Sequence, residues 1–179
     1  MTTKKLLLTV GLVAGFSLPW TAGAQSTSAE PTVEVTFVEP ENFTDVKDRY
    51  SAQKEVAQHY LNTLKEHVQR AAGKRLAPGQ RLKVTITDID MAGDFEPWRS
   101  PQLQDVRIIK DIYPPRIDLS YQLLDANGTV VAEGKRELRD LAFNMRTTGL
   151  PTSDSLRHEK ALLDDWLRRD LRTARTAKK

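Results

Sequence analysis

The sequence predicts an α+β fold: a two-layer sandwich with a mostly antiparallel sheet of about four strands and two amphipathic helices on one face. Three observations carry that expectation. Apolar and polar side chains alternate through Val33–Phe37, Leu82–Ile86 and Ile117–Leu123, the period of half-buried strands. Two longer segments, Ser51–Ala72 and the stretch starting near Ser153 or Ser155, repeat their apolar residues at helical spacing. The element order is then strand, helix, several strands, helix.

The first residues belong to none of these elements. Lys4 and Lys5 precede an apolar run from Leu6 to about Leu18, and Ala22-Gly23-Ala24 leads into polar sequence. That is the pattern of a secretory signal peptide over residues 1–24, with cleavage expected after Ala24. An uncleaved leader acting as a tether is the alternative. No later segment approaches the roughly 20 apolar residues a membrane-spanning helix needs. Residues 25–31 read as a flexible linker, 32–175 as a single α+β domain, and 176–179 as a basic tail.

Within the domain, the first strand ends at Pro40. In the first helix Ala57, Tyr60, Leu61, Leu64, Val68 and Ala71 share one face, and Gly73 is placed to cap it. The second strand changes phase: after Leu82, Val84 and Ile86 the next apolar residues are Ile89 and Met91. A one-residue slip turns every side chain to the other face, so the chain must bulge or end near Thr87-Asp88 unless Asp88 and Asp90 point into the core. Met91–Gln104 reads as a long loop, Val106–Ile112 as a short strand, and Pro114-Pro115 as extended or turning backbone. Ile117–Leu123 pairs through a tight Asn127-Gly128 turn with a strand over Thr129–Lys135. Glu137–Gly149 has no clear period. The second helix gathers Leu156, Leu163, Trp166, Leu167 and Leu171, interrupted by Glu159 and Asp170.

Composition narrows the function. The chain has no cysteine, which removes thiol catalysis, disulfides, thiolate metal sites and a lipid-modified cysteine anchor. A formal charge of +3 falls to +1 without the leader lysines, too weak a field for a nucleic-acid partner. Export of a disulfide-free domain points to a bacterial periplasm.

Four segments carry a family resemblance: VEVTFVEPENFTDV, KVTITDIDMAGDFEPW, VRIIKDIYPPRIDLSYQLLDANGTVVAEG and LRDLAF. Together they resemble the exported bacterial family called domain of unknown function 3016, with TDIDMAGDF and IYPPRI the most distinctive parts. The resemblance spans nearly the whole mature chain. It implies an exported, periplasmic α+β domain, and it implies no activity and no residue roles.

The candidate chemistry centres on TDIDMAGDFEPW. As a calcium loop starting at Asp88 it places Gly93 correctly, but Ala92 takes the fifth position and Arg99 the twelfth, where a bidentate glutamate is needed. A non-standard oxygen site built from Asp88, Asp90, Asp94 and Glu96 is the weaker metal reading. A carboxylate pair could serve as general acid and base in a cell-envelope hydrolase, metal-assisted or not. His59, His67 and His158 do not converge, and no nucleophile elbow, phosphate loop or dinucleotide fingerprint occurs, so no cofactor is expected. Trp98, Phe95 and Tyr113 form an aromatic set beside Pro114-Pro115. Large aromatics are mostly buried, so each is expected to pack over the sheet end; if exposed, they are interface anchors. With Asp94, Arg99 and Arg116 they make the candidate binding set. Arg107 is placed to join that set or to neutralise the nearby acids. The leading expectation is a noncatalytic periplasmic binding or accessory module that presents residues 91–116 to another envelope protein or a small ligand. Oligomeric state leaves no mark in the sequence.

Overall fold

The computed structural model describes residues 30–46, 51–100, 102 and 106–176, of which 51–54 and 173–176 are described by their backbone alone. The expected leader, most of the expected linker and residues 177–179 of the basic tail lie outside the described residues. In chain order the elements are β1 (Thr32–Phe37), α1 (Ser51–Gly73), β2 (Arg81–Asp90), β3 (Asp94–Phe95), β4 (Arg107–Ile108), β5 (Arg116–Leu124), β6 (Val130–Arg139) and α2 (Arg157–Thr176). The main sheet runs β1-β2-β5-β6, and β3 pairs with β4 separately.

The α+β expectation holds, with an open, mostly antiparallel four-stranded sheet and two helices. β1 and β2 are the parallel pair, in register from Thr32 opposite Arg81 to Phe37 opposite Ile86. Parallel neighbours need a crossover, and α1 supplies it. β5 pairs antiparallel with both β2 and β6. α1 packs on β1 and α2, while α2 packs on β6. The other sheet face shows Glu34, Lys83, Glu133, Lys135 and Glu137 to water.

The core lies between the layers. Leu82, Val84, Ile86 and Ile89 of β2, with Ile117, Leu119 and Leu123 of β5, face Leu61, Leu64 and Val68 of α1 and Leu163, Trp166 and Leu167 of α2. Each fully buried side chain of this size contributes about 1.5–3 kcal/mol. Tyr121 meets Trp166 edge-on with ring centroids 5.6 Å apart, joining β5 to α2.

Several local expectations are corrected. Gly73 stays in the helix without positive φ, and the chain leaves α1 through Arg75 and Leu76 N–H bonds to the Ala72 carbonyl. In the hairpin, Gly128 takes φ 84° and Asn127 does not. Asp125 N–H bonds Thr129 O at 2.9 Å, Asp125 Oδ1 accepts the Asn127 and Thr129 N–H groups, and pairing slips between Leu123 and Leu124. The loop is thus longer than a two-residue turn and is closed by a bulge. β6 runs on to Arg139, into the stretch without clear period. α2 starts at Arg157 because Asp154, not a serine, organises its entry: Oδ1 accepts Leu156 N–H at 2.9 Å and Oδ2 accepts Lys160 Nζ at 2.7 Å.

Candidate functional site

The site begins at a fault in β2. Pairing with β5 passes from Ile86–Leu119 to Asp88–Asp118, leaving Thr87 as the extra residue of a bulge. Ile89 therefore returns to the core while Asp88 and Asp90 project away from it. Of the three outcomes the phase change allowed, a bulge, a strand end or inward-pointing acids, the strand bulges and continues to Asp90.

Asp88 is used at once. Its Oδ1 accepts Thr44 N–H at 2.6 Å and its Oδ2 accepts Thr44 Oγ1–H at 2.8 Å, while Arg116 lies 3.5 Å away. Asp45 N–H then bonds Ile89 O at 3.0 Å, fixing the 44–46 segment along the end of β2. The Asp45 carboxylate accepts Arg107 Nη2 at 2.8 and 2.7 Å and Met91 N–H at 3.3 Å. Arg107 Nη1 reaches Gly93 O at 2.8 Å, and the guanidinium stacks 4.6 Å above the centre of Phe95. One arginine thus ties β4 to the turn, to β3 and to the 44–46 segment.

Gly93 allows this turn to close. Its φ is 80°, and a Cβ there would stand 2.6 Å from Ile109 Cδ1 and 2.7 Å from Ile108 O. Its N–H bonds Tyr113 O at 3.0 Å. The stretch expected as a loop therefore contains β3, with Asp94 opposite Ile108 and Phe95 opposite Arg107, and the strand expected over 106–112 shortens to Arg107–Ile108.

These connections surround an open cleft of about 1340 Å³ at the end of the sheet. Tyr60 and Val56 of α1, Trp98, Tyr113, Ile112 and Leu141 contribute apolar surface. Much of it is bare: Trp98 is 72% exposed, Leu141 71%, Ile112 70% and Phe95 40%. Packing over the sheet end, the ordinary expectation for Trp98, is not what it does.

Asp90 lies in the same cleft with no hydrogen-bond or ion-pair partner for its carboxylate among the described residues. Partial burial, followed by the charges of Asp45 and Asp88, raises its pKa above the ordinary aspartate value, against Arg116. Arg116 is itself committed to Asp118, with Nη2 2.7 Å from Oδ2, and that bond raises its pKa.

The six residues expected to bind do not all gather. Asp94, Phe95, Trp98, Tyr113 and Arg116 line the cleft; Arg99 instead lies 3.4 Å from Glu96. Glu96 is enclosed by cations and a phenol: Lys110 Nζ at 2.5 Å and Tyr113 Oη–H at 3.1 Å donate to its Oε1. The Lys110 bond, opposed by burial and aided by Tyr113, holds its pKa below the ordinary value, and the same contact raises that of Tyr113. The weaker metal set of Asp88, Asp90, Asp94 and Glu96 is therefore dispersed, with Asp88 on Thr44, Glu96 on Lys110 and Asp94 Oδ1 accepting the Phe95 N–H at 2.7 Å. Among the described residues no three acids or histidines stand at metal-binding spacing. His67 pairs with Asp164 at 3.1 Å, and His158 packs edge-on against Phe143, so neither enters the cleft.

Residues 31–169 match the family described as "Protein of unknown function (DUF3016)". The chain belongs to the DUF3016 family. Both segments that stand out in its resemblance, TDIDMAGDF and IYPPRI, supply walls of the DUF3016 cleft. No curated protein matches the chain. A solved structure, the PelC L103M dodecamer from Paraburkholderia phytofirmans, is similar at 14% identity over 80% of this chain and 86% of that one; its TM-score of 0.30 is too low to carry an argument.

Behind the cleft of this DUF3016 domain stands a residue that sequence reasoning treated as an interruption. Glu159 is fully buried, and its Oε1 accepts Ala92 N–H at 2.7 Å while Oε2 has no hydrogen-bond partner among the described residues. Burial raises its pKa. The available signal was an acid at a core-facing position of an amphipathic helix. Tyr60, Asp45 and Leu141 were missed as cleft residues because their places depend on contacts between distant segments.

Proposed function

We propose that this chain is an exported, noncatalytic binding module of the bacterial envelope, and that it holds a protein partner against the cleft at the end of its sheet. The observation that carries this reading is the bare rim of Trp98, Phe95, Ile112 and Leu141 around the cleft. Contiguous exposed apolar surface mostly marks interaction sites. Aromatic anchors framed by polar groups are the usual centre of protein interfaces. Beneath it, the Arg107, Gly93 and Glu159 contacts hold the rim on a fixed frame, which lowers the ordering cost of association. Export rests on the leader pattern ending at Ala24, and no helix among the described residues is long and apolar enough to cross a membrane.

Native gel electrophoresis of extracts from the producing cells tests the reading. The wild-type chain is expected in a complex, and Trp98→Ala combined with Ile112→Asp is expected to release it as a free, folded chain. A wild type that migrates alone, or a complex indifferent to both substitutions, overturns the proposal.

One observation favours a second reading, the carboxylate-based envelope hydrolase. Asp90 is an acid of raised pKa in a cleft, without a hydrogen bond or ion pair among the described residues, a recurrent mark of catalytic sites. Turnover of envelope glycans or esters by the purified protein, lost in Asp90→Asn, would support it.

A further inference from the structure

Among the described residues the charges of the cleft do not balance where the rim is open. Four carboxylates line it: Asp45, Asp90, Asp94 and Asp111. Asp45 is matched by Arg107. Asp111 accepts Asn144 Nδ2–H at 3.0 Å, and Asp94 accepts its neighbour's backbone N–H, but among the described residues neither has a cation. Among the described residues Asp90 has neither a cation nor a hydrogen bond. The charges acting on it are those of Asp45, Asp88 and Asp94 against Arg116, whose guanidinium is already bonded to Asp118. Arg139 of β6 also lines the cleft, opposite Arg116 of β5 and two strands from Asp90.

The rim is mixed as well as bare. Flat sugars stack on aromatic faces and gain little from branched aliphatic ones, whereas Ile112 and Leu141 are among its most exposed members. Such a mixture suits the side chains of a polypeptide. Tyr60, Trp98 and Tyr113 also bring aromatic rings to the same cleft as Asp90, and ring faces attract cations.

We propose that the cleft takes a basic, apolar segment of a partner protein, with a lysine or arginine of that segment on Asp90 and its apolar neighbours on Phe95, Trp98, Ile112 and Leu141. The proposal rests on the docking reading above and names the chemistry of the docked segment. The cation supplies Asp90 with a partner that it lacks among the described residues, and the rim removes water from around that pair.

The test is fluorescence anisotropy of the purified protein with a labelled peptide of alternating leucine and lysine, beside the same peptide with glutamate in place of lysine. The lysine peptide is expected to bind about tenfold or more tightly than the glutamate peptide, a difference of about 1.4 kcal/mol. Asp90→Asn should bring the two affinities together. Trp98→Ala should weaken the lysine peptide, and its high exposure makes it a change the fold tolerates. Equal binding of the two peptides, or a preference unaltered in Asp90→Asn, overturns the proposal. So does an absence of binding by both; if the native complex still depends on Trp98 and Ile112, the docking reading survives and the charge assignment alone falls. A complex that is absent or indifferent to the rim removes the docking reading itself.

Discussion

Glu159 Oε1 accepts the Ala92 N–H at 2.7 Å, so the first turn of α2 holds the backbone turn that follows β2. Asp88, Asp90, Gly93 and Phe95 all lie within four residues of that bond, which couples the hydrophobic layer to the cleft.

Replacing Glu159 by alanine leaves the Ala92 donor buried without its partner. A loss of about 1–3 kcal/mol is expected in urea denaturation. Glutamine keeps the acceptor and removes the charge. Because burial raises the folded-state pKa of Glu159, against the Ala92 N–H bond and Arg107 and with Asp45 acting in the same direction, ionisation costs stability. That contribution to stability is full below the unfolded-state pKa and is lost as pH rises through the folded-state value. The melting temperature of Glu159→Gln should therefore gain on wild type as pH is raised from about 4 to about 8, measured by thermal scans.

Asp90 follows the same sign from a more open position. Its raised pKa makes the ionised form destabilising above the folded-state value, with Asp45, Asp88 and Asp94 repelling it and Arg116 attracting it. Asp90→Asn should melt higher than wild type near neutral pH, and the difference should shrink in acid. A residue kept for packing would not show higher stability together with weaker binding of the basic peptide.

Gly93 can be separated from an ordinary positive-φ glycine. Gly149 has φ 70° and nothing within 4 Å of a built Cβ, whereas Gly93 has φ 80° and two contacts under 3.0 Å. Both alanine substitutions pay for the left-handed backbone, about 1–3 kcal/mol. Gly93→Ala should lose clearly more than Gly149→Ala in the same denaturation series, because the Ile108 carbonyl must also move.

Arg107→Lys removes a fork that no single ammonium reproduces. Asp45, Gly93 O and the Phe95 ring cannot all be served by one point charge, and about 1.5–3 kcal/mol should be lost. Limited proteolysis should show faster cleavage within residues 91–100 while the sheet resists.

Local pattern made the layers readable. Strand alternation and helical spacing depend on neighbours in sequence, and the shift from Ile86 to Ile89 marked a bulge or a strand end near Thr87-Asp88, unless the acids turned inward, before any pairing was known. The β3–β4 pair was hidden because each strand has two residues, too few for a period. The candidate site was partly readable: acids, aromatics and arginines were visible as residue types, but the sequence could not show that Glu96 is occupied by Lys110 while Asp90 has no such partner among the described residues. Trp98 ran against the usual burial of aromatics, and only its tertiary surroundings show that it is bare.

Photo-crosslinking in the producing cells uses probes placed singly at 98, 112 and 141, with the exposed position 83 near the other end of β2 as control. One and the same protein adduct is expected from all three rim positions and none from position 83. Rim positions that yield no adduct from a folded chain, or an adduct pattern shared with position 83, would contradict docking at the cleft.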